Sequence, residues 1–259
     1  MSENTARPVA LITGGSRGIG AATAEALAGH GYDVALTYHN KAARAAEVAA
    51  AVERQGARAL TLACDITQAA SRAALFAALV AWCPRLDALI LNASGGLERQ
   101  ALALDPEYPM HINRDAQVAL LEGALPLLAR GGAVVLVTSH WAMLYGQVAQ
   151  LPNYEPIAAS KHAGELALRA RQDELAARGI RLAFVTGDLI EGTITPKLLE
   201  RRTPGLARER REAAGPLPTT ADMARAIVAA ASDATLPSGQ TLVVGGALEA
   251  LVEHYPPHG

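Results

Sequence analysis

The stretch Val9–Gly20, VALITGGSRGIG, decides the fold of this chain. Its first part is an apolar run of the kind found in buried β-strands, and its last residues open a helical pattern. Between them, Gly14, Gly18 and Gly20 allow a sharp turn, a close approach of the backbone to a pyrophosphate, and tight packing of helix on strand. Three spaced glycines alone are weak evidence, but a strand before them and a helix after them are the context that a dinucleotide-binding turn requires.

Apolar runs alternate with alanine-rich helical stretches along the whole chain. The predicted strands are Val9–Thr13, Asp33–Tyr38, Arg58–Ala63, Asp87–Leu91, Ala133–Ser139, Arg181–Thr186 and Thr241–Gly245. The predicted helices include Ile19–His30, Ala42–Gln55, Ser71–Trp82 and Ile157–Arg178. Continuous apolar strands separated by helices predict an α/β fold: a Rossmann-type, doubly wound parallel sheet of seven strands with helices on both faces. Because no linker or repeat divides the chain, residues 1–259 are predicted to form a single domain.

Composition and charge exclude several classes of function. With a net charge of −2 and no block of like charges, the chain is predicted to bind neither nucleic acid nor a membrane surface. No apolar run is long enough to span a bilayer, and the opening MSENTARP predicts a disordered lead-in. Cys64 and Cys83 fit neither a metal nor a redox spacing. We therefore expect no metal site, and two small buried thiols of a reducing, cytoplasmic compartment.

The segment Glu191–Pro218 differs from the rest because it places several prolines within a polar helical pattern. Ligands of an open α/β sheet lie beyond the carboxyl ends of the strands, so this excursion predicts either a substrate lid or a packed helical pair without a gating role. Its arginines alternate with glutamates and predict a solvated helix face; they are Arg201, Arg202, Arg208, Arg210 and Arg211. Asp188, shortly before it, is interpreted as a cap for the next helix rather than as a substrate contact.

Short motifs follow the later strands in a fixed order. They are Asp65 in CDI, Asn92–Gly96 as NASGG, Asn113 in HINRDA, Ser139 at the end of a strand, and Lys161 in ASKHAGE. Together with TGGSRGIG, they resemble the nucleotide-binding and active-site signatures of the short-chain dehydrogenase/reductase family. The resemblance spans nearly the whole chain.

This resemblance implies roles for individual residues. It implies that Asp65 contacts the adenine amino group, and that Ser139 binds the substrate oxygen. It also implies that Lys161 holds the ribose hydroxyls and that Asn113 holds a water that leads protons away. The cofactor-binding residues that we expect are Gly14, Ser16, Arg17, Gly18, Ile19, Gly20, Tyr38, His39, Asn40, Lys41, Asp65, Ile66, Asn92, Ala93, Ser94, Lys161 and Gly187.

The end of the second strand indicates which dinucleotide is bound. An acidic residue there would hold the ribose hydroxyls of NAD, whereas basic residues accommodate the 2′-phosphate of NADP. The segment Thr37–Arg44, TYHNKAAR, contains no acid, and Arg17 lies within the glycine turn. Because a guanidinium beside a phosphate makes a strong charge-assisted contact, NADPH/NADP+ is the predicted cofactor. The alternative is that Arg17 and Lys41 simply face solvent.

The tyrosine of the active site is displaced in this chain. Most of the family has a tyrosine four residues before the lysine, and Ile157 occupies that position here. Tyr154 stands seven residues before Lys161. Two helical turns take about 7.2 residues, so both side chains would lie on roughly one face. Pro156 suits the first turn of a helix, which places Tyr154 just before the helix N-terminus.

This displaced spacing, with the preceding PNY, resembles the NADPH-using members of the enoyl-acyl-carrier-protein reductase branch of the family. In that branch hydride is sent to a β-carbon while a tyrosine stabilises the enolate oxygen. Tyr154 is therefore the predicted proton donor. The alternatives are Tyr145, which roughly matches a second tyrosine of that branch, His140, water, the substrate itself, or no group at all.

The sequence thus predicts an NADPH-dependent oxidoreductase that reduces a C=O or conjugated C=C bond of a small-molecule or acyl-thioester substrate. An alternative from another class is an NADP(H)-binding regulatory or sensor protein with a degenerate active site. The resemblance also implies a homodimer or homotetramer, with the alanine-rich stretches Met110–Arg130 and Ile157–Arg178 as the packing faces.

Overall fold

Within the residues that the structure describes, seven parallel strands form one sheet. The computed structural model describes residues 7–97, 99–151, 153–246 and 248–256, and most of the predicted lead-in, residues 1–6, lies outside these ranges. The strands are β1 Val9–Ile12, β2 Asp33–Tyr38, β3 Ala59–Ala63, β4 Leu86–Leu91, β5 Leu128–Ser139, β6 Arg181–Gly187 and β7 Thr241–Val244. Their order, β3-β2-β1-β4-β5-β6-β7, runs outward from β1 and then restarts on its other side at β4. The predicted doubly wound Rossmann topology is therefore confirmed.

Helices cover both faces of the sheet. They are α1 Gly18–Gly29, α2 Ala42–Glu53, α3 Ala69–Trp82, α4 Arg99–Leu104, α5 Tyr108–Met110, α6 Ala116–Ala124, α7 His140–Met143, α8 Glu155–Arg169, α9 Gln172–Ala177, α10 Thr195–Glu200, α11 Leu206–Ala214, α12 Thr220–Ser232 and α13 Leu248–His254. A π-helical turn, His111–Asp115, joins α5 to α6. Within the described ranges, none of the helices combines the length and the apolar character needed to cross a bilayer.

Two apolar layers bury the sheet from opposite sides. Leu11 of β1 belongs to the layer that packs on α3 and α6, whereas the next residue, Ile12, belongs to the layer that packs on α1, α2 and α12. Because side chains alternate between the faces of a strand, a strand covered on both sides must be apolar at every position. Cys64 and Cys83 lie in the first layer as buried free thiols, as the sequence predicts.

The helix predicted over Ile157–Arg178 is two helices, α8 and α9, separated at Ala170 and Arg171. Neither residue type breaks a helix by itself. Arg171 instead forms a long-range ion pair with Glu122 on α6 and a local one with Glu174 at the start of α9, and these contacts favour the bend.

The helical stretch predicted over Met110–Arg130 also ends early. It contains the π-helical turn and finishes at Ala124, because the chain enters β5 at Leu128. Leu128 pairs with Leu86 of β4 before a register shift. Strand β5 therefore begins five residues earlier than predicted, because its first residues, LARGG, do not look like a strand.

Residues 191–218 form an excursion from the carboxyl edge of the sheet. It starts and ends at an isolated parallel bridge between Glu191 and Thr219 and contains α10 and α11. Leu199 and Leu206 from these helices join Trp141 in a third apolar cluster, which lies beside the ends of β5 and β6. The excursion is thus packed onto the edge where a ligand of this fold would bind.

The prediction of a solvated arginine face is wrong for one residue of this excursion. Arg201, Arg208 and Arg211 are exposed, but the side chain of Arg210 is completely buried. The cause is Asp188, just after β6, whose carboxylate accepts hydrogen bonds from Arg210. The interpretation of Asp188 as a helix cap is therefore also wrong.

A backbone contact fixes α8 against the π-helical turn. A Cβ atom added at Gly164 would lie 2.0 Å from the carbonyl oxygen of Asn113, closer than any real contact. Only glycine allows α8 to lie this close to the turn. The contact sets the position of every side chain that α8 carries.

We predict that Gly164→Ala lowers the free energy of unfolding by about 1–3 kcal/mol, because the added methyl group forces the helix and the turn apart. Denaturant unfolding of the purified variant measures this change. Gly29→Ala is the matched control, since its nearest neighbour is only the flexible end of Gln55 and alanine favours a helix. Equal stability of the two variants would show that the close contact does not constrain the fold.

Candidate active site

The glycine turn has the geometry of an anion cradle. Gly14 and Gly18 have positive φ angles of 69° and 56°, and a Cβ atom at Gly20 would lie 2.3 Å from the carbonyl oxygen of Gly14. Helix α1 starts at Gly18, and the side chain of its N-cap residue, Arg17, makes no capping hydrogen bond. The first N–H groups of the helix are therefore free to bind a phosphate. Ser16 and Ile19 lie in the same turn.

Hydrogen bonds hold this turn against the end of β4. The Asn92 side chain donates to the carbonyl oxygens of Thr13 and Gly14, at 2.9 and 3.2 Å. In return, the Thr13 hydroxyl accepts from the backbone N–H groups of Asn92 and Ala93, both at 3.0 Å. The two strand ends that flank the change in strand order are thus joined, and this crevice is where the fold binds dinucleotides.

The residues at the end of β2 that are predicted to bind the cofactor differ in exposure. Tyr38 is partly buried, whereas His39, Asn40 and Lys41 are exposed. The Nε2 atom of His39 lies 3.8 Å from a carboxylate oxygen of Asp65, which brings the ends of β2 and β3 together. Ile66, the next residue, is buried and packs in the core.

A small cavity lies between the end of β4 and α8. Its volume is about 10 Å³, room for about one water molecule, and it is lined by Ala93, Ser94, Asn113, Gln117, Leu136, Val137, Thr138 and Lys161. The Gln117 Oε1 and Thr138 Oγ1 atoms are buried and have no hydrogen-bond partner in the part of the chain that the structure describes. Unpaired polar atoms around a cavity of this size are suited to a bound water.

Asn113 is buried in the π-helical turn and makes three hydrogen bonds to two residues. Its Nδ2 atom donates to the Gly95 carbonyl oxygen at 3.0 Å and to the Ser160 hydroxyl at 2.9 Å, and its Oδ1 atom accepts from the Gly95 N–H group at 3.3 Å. One asparagine therefore ties the loop after β4 to α8. Single π-helical turns often occur at functional sites.

Tyr154 and Ser139 meet beyond the carboxyl end of β5. Tyr154 is the N-cap residue of α8 and Pro156 lies in its first turn, which confirms the predicted start of this helix. The Tyr154 hydroxyl donates to Ser139 Oγ at 3.4 Å, and both residues are buried. Burial raises the pKa of the Tyr154 phenol; the hydrogen bond that the phenol donates to Ser139 lowers it, and the charge of Asp188 raises it further. The phenol therefore keeps its proton at neutral pH.

Ile157 fills the position where most of the family has its tyrosine. It is buried, and its Cγ1 atom would lie 2.8 Å from a Cβ atom at Gly96. The side chain thus packs on the NASGG turn.

Lys161 lies two turns into α8, on the side that faces β5. Its Nζ atom donates to the Val137 carbonyl oxygen at 3.4 Å and lines the small cavity. Burial lowers the pKa of this amine from 10.5 to about 8. At neutral pH the amine is therefore still mostly protonated, but it gives up its proton more easily than an exposed lysine.

The two alternative donors lie in different surroundings. His140 follows Ser139 and is completely buried, and this burial lowers its pKa to about 4, so it is neutral near pH 7. Tyr145 packs its ring 5.7 Å from that of His162. Of the three candidates, Tyr154 is the one whose hydroxyl reaches the Ser139 hydroxyl.

Comparison with known proteins shows the family of this chain. A family model described as enoyl-(acyl carrier protein) reductase matches residues 14–248. The chain belongs to the short-chain dehydrogenase/reductase family. This family consists of oxidoreductases, and the matched region contains both the glycine turn and the Tyr154–Lys161 helix.

Several relatives of this short-chain dehydrogenase/reductase are named as reductases. It is 32% identical over 191 residues to 1-cyclohexenylcarbonyl-CoA reductase of Streptomyces collinus, a match that spans 71% of this chain and 65% of that relative. The structure of a short-chain dehydrogenase from Burkholderia cenocepacia in complex with NADP superposes with a TM-score of 0.81, 27% identity, and coverage of 93% and 98%. The angucycline C-6 ketoreductase LanV with bound NADP gives a TM-score of 0.79, 28% identity, and coverage of 93% and 96%.

Three residues of this short-chain dehydrogenase/reductase lie at the site without having been predicted there. Gln117 lines the cavity, and nothing in the sequence distinguishes it from a helix-surface residue. Thr193 lies above the glycine turn, with its Cγ2 atom 3.6 Å from where a Cβ atom of Gly18 would be. Arg210 occurs in a charged run, but it follows the apolar Leu206 by four residues, and this spacing indicates the same helix face.

Gly187, the last predicted cofactor residue, ends β6 and pairs in register with Ser139. A Cβ atom there would lie 2.7 Å from the sulfur of Met223 and 2.8 Å from Ile190. The end of β6 is thus packed tightly, which fixes its position next to Ser139 and just before Asp188.

The lowered pKa of Lys161 predicts a pH dependence of stability. Between pH 8 and 10.5 the unfolded chain binds a proton at this amine that the folded chain has released, so folding gains stability as the pH rises through this window. The gain is complete above pH 10.5 and is lost as the pH falls to about 8. We expect the melting temperature of the unmodified protein to rise across this window relative to that of Lys161→Met. The rise should be about 2–4 °C for each kcal/mol by which the pKa difference increases the free energy of unfolding.

Lys41→Met, which removes an exposed lysine, is the control, and its offset from the unmodified protein should stay constant over the same window. A constant offset for Lys161→Met as well would contradict the burial of the charged amine. Thermal melts by circular dichroism in matched buffers give these comparisons.

Proposed function

We propose that this protein is an NADPH-dependent reductase of C=O or conjugated C=C bonds, with an acyl-thioester or a similar small molecule as its substrate. The observation that carries the proposal is the buried pair of hydroxyls, Tyr154 and Ser139, at 3.4 Å beside the carboxyl edge of the sheet. The displaced phenol does not leave the site without a proton donor, because the N-cap position of α8 brings it to the serine. The relatedness to a CoA-ester reductase and to a ketoreductase supports the same reaction class.

The residues of the glycine turn fit a dinucleotide. The turn leaves no room for side chains at Gly14 and Gly20, and the free N-terminus of α1 is suited to a pyrophosphate. Asp65 and Ile66 would border the adenine, the Asn92–Ser94 turn and Gly187 the nicotinamide side, and Lys161 the ribose hydroxyls. When bound, NADPH supplies the hydride of the reduction.

The chain's own groups would bind and protonate the substrate oxygen. Ser139 Oγ accepts from Tyr154 and can donate its own proton to the oxygen, so it orients the oxygen toward the phenol. The Tyr154 hydroxyl then donates its proton as negative charge develops on that oxygen, whether it is a carbonyl or an enolate oxygen. Burial keeps the phenol protonated until this charge develops.

Lys161 and Asn113 would supply the replacement proton. The Lys161 amine lies at the small cavity, and a positive charge near the phenol favours its ionised form after the transfer. Asn113 lines the same cavity, whose unpaired oxygens on Gln117 and Thr138 are suited to hold a water. A proton can therefore move along this side of α8.

The excursion 191–218 would act as the substrate lid. Its apolar residues Leu199 and Leu206 pack in the same cluster as Tyr154, so they exclude water from the phenol. Arg202 donates to the carbonyl oxygens of Leu97 and Asn153 at 3.4 and 3.5 Å, which closes the excursion onto the opposite wall of the site.

We predict that Tyr154→Phe lowers kcat about 10²–10⁴-fold, because it removes the proton donor but keeps the ring. The rate of NADPH oxidation with crotonyl-CoA and with acetoacetyl-CoA measures this and separates enoyl from carbonyl reduction. Tyr145→Phe, which removes the competing phenol, should keep the rate of the unmodified protein. If the protein binds NADPH tightly but reduces neither thioester nor any ketone tested, the sensor alternative replaces the enzyme.

We predict that Arg17→Ala raises the Kd for NADPH about tenfold or more and leaves the Kd for NADH nearly unchanged, because the guanidinium contributes through the 2′-phosphate. Titration of the intrinsic cofactor fluorescence measures both constants. Arg54→Ala, at the exposed end of α2, is the matched control and should alter neither. An equal loss for both dinucleotides would assign Arg17 to the pyrophosphate or to the fold instead.

A further inference from the structure

Arg210 is the largest side chain that is completely buried in the described part of the chain. Its Nε and Nη2 atoms donate to one carboxylate oxygen of Asp188, at 2.8 and 2.5 Å, and the Asp188 side chain is only 2% exposed. Arg210 lies on α11 of the 191–218 excursion, whereas Asp188 follows β6. The pair therefore joins the proposed lid to the central sheet.

This ion pair is not explained by stability. Removing two charges from water is costly, and well-packed apolar residues often replace a buried pair without loss of stability. The pair is also incompletely bonded, since Arg210 Nη1 and Asp188 Oδ1 have no hydrogen-bond partner within the described residues. A costly and incomplete pair at the edge of a site points to a role beyond holding the fold.

The position of Asp188 connects the pair with the reacting hydroxyls. Gly187 pairs in register with Ser139, so Asp188 is one residue beyond the strand position next to the serine. Its charge acts on Tyr154 and on His140, the residue that follows Ser139. The carboxylate is thus close enough to the phenol to affect its ionisation.

Contacts on the other side of α11 hold it in place. Glu209 accepts hydrogen bonds from the Tyr255 hydroxyl and, at 2.8 Å, from His254 at the end of α13. The Tyr255 ring lies 6.0 Å from the Arg210 guanidinium and packs edge-on against Trp141, which follows the site serine by two residues. Helix α11 is therefore held between the C-terminal residues and Asp188.

The groups around Tyr154 come from all the elements that pack there. They are Ser139 at the end of β5, His140 at the start of α7, Lys161 on α8, Asp188 after β6 and Arg210 on α11. His140 is neutral near pH 7. The charges at this end of the sheet are the carboxylates of Asp188 and Glu209 and the cations of Lys161 and Arg210, and the guanidinium of Arg210 directly compensates Asp188.

We propose that Asp188 and Arg210 are positioning residues of the reductase: the pair seats the lid helix on the strand end beside Tyr154 and balances the charge that the phenol experiences. This inference rests on the proposed function in assigning the proton transfer to Tyr154. It goes beyond that function by proposing that Asp188 and Arg210 control both the position of the lid and the charge around the proton donor.

Single substitutions separate this role from a structural one. In Arg210→Met the carboxylate is uncompensated and disfavours the phenolate, so the pKa of Tyr154 rises. In Asp188→Asn the guanidinium is uncompensated and favours the phenolate, so the pKa falls. We expect shifts of about one pH unit in opposite directions, and a return close to the original value in the double variant. Arg211→Met breaks the exposed ion pair with Glu191 on the same helix, and this control should leave the phenol unchanged.

The shifts are measured in two ways. One is the alkaline limb of the pH profile of kcat/KM with the preferred thioester. The other is the tyrosinate absorbance of each variant, measured against the same variant that also carries Tyr154→Phe. The second measurement needs no turnover, so failure of the proposed function and failure of this inference give different results. Shifts in the same direction, or losses of rate without any shift, would overturn the charge-balancing role.

Arg210→Lys tests the seating of the lid separately. It keeps the positive charge but loses the two-nitrogen contact with Asp188. We expect an almost unchanged phenol titration and faster hydrogen exchange in Leu206–Ala214, with a rise in KM that exceeds the fall in kcat. Unchanged exchange in this helix would overturn the seating role, and this variant also provides the test if Arg210→Met does not fold.

Discussion

The contact between Gly164 and the Asn113 carbonyl is the constraint on which the site depends. Helix α8 carries Tyr154 at its N-cap and Lys161 two turns later, so the position of this one helix sets both groups. The missing side chain at Gly164 lets α8 lie against the π-helical turn, and that turn directs the Asn113 amide to Ser160 on the same helix. The side chains to which we assign the proton transfer therefore share one fixed reference, and catalysis by a preorganised site would require this.

Burial shifts the pKa values of Tyr154 and Lys161 in opposite directions, and both shifts favour the neutral form of the side chain. It raises the pKa of the Tyr154 phenol and lowers that of the Lys161 amine to about 8. A phenol in this site therefore holds its proton until charge appears on a bound oxygen. The amine releases a proton more readily than an exposed lysine and can replace the one that the phenol gives away. The direction of transfer follows from desolvation, without any unusual bond.

Local rules were enough to predict the strands, the glycine turn and the start of α8 at Tyr154, because apolar runs, glycine and Pro156 act on their immediate neighbours. The sequence did not indicate the π-helical turn, since its extra residue is stabilised by contacts that Asn113 makes with Gly95 and Ser160. The break after α8 was missed for the same reason: the ion pairs of Arg171 with other helices favour it. In each case a long-range contact outweighs a weak local preference.

Arg210 and Arg211 show that a shift of one residue along a helix decides whether a side chain is buried or exposed. They are adjacent and chemically identical, yet Arg211 pairs with Glu191 on the surface and Arg210 pairs with Asp188 in the interior. Arg210 lies four residues after Leu206, on the face that packs into the apolar cluster, and a charge at such a position must bring its own partner. Because charged residues alternate along this helix, the sequence does not reveal that Arg210 lies on its apolar face. A buried arginine in an otherwise solvated helix therefore ties the excursion to one place on the sheet, which a purely apolar face would not do.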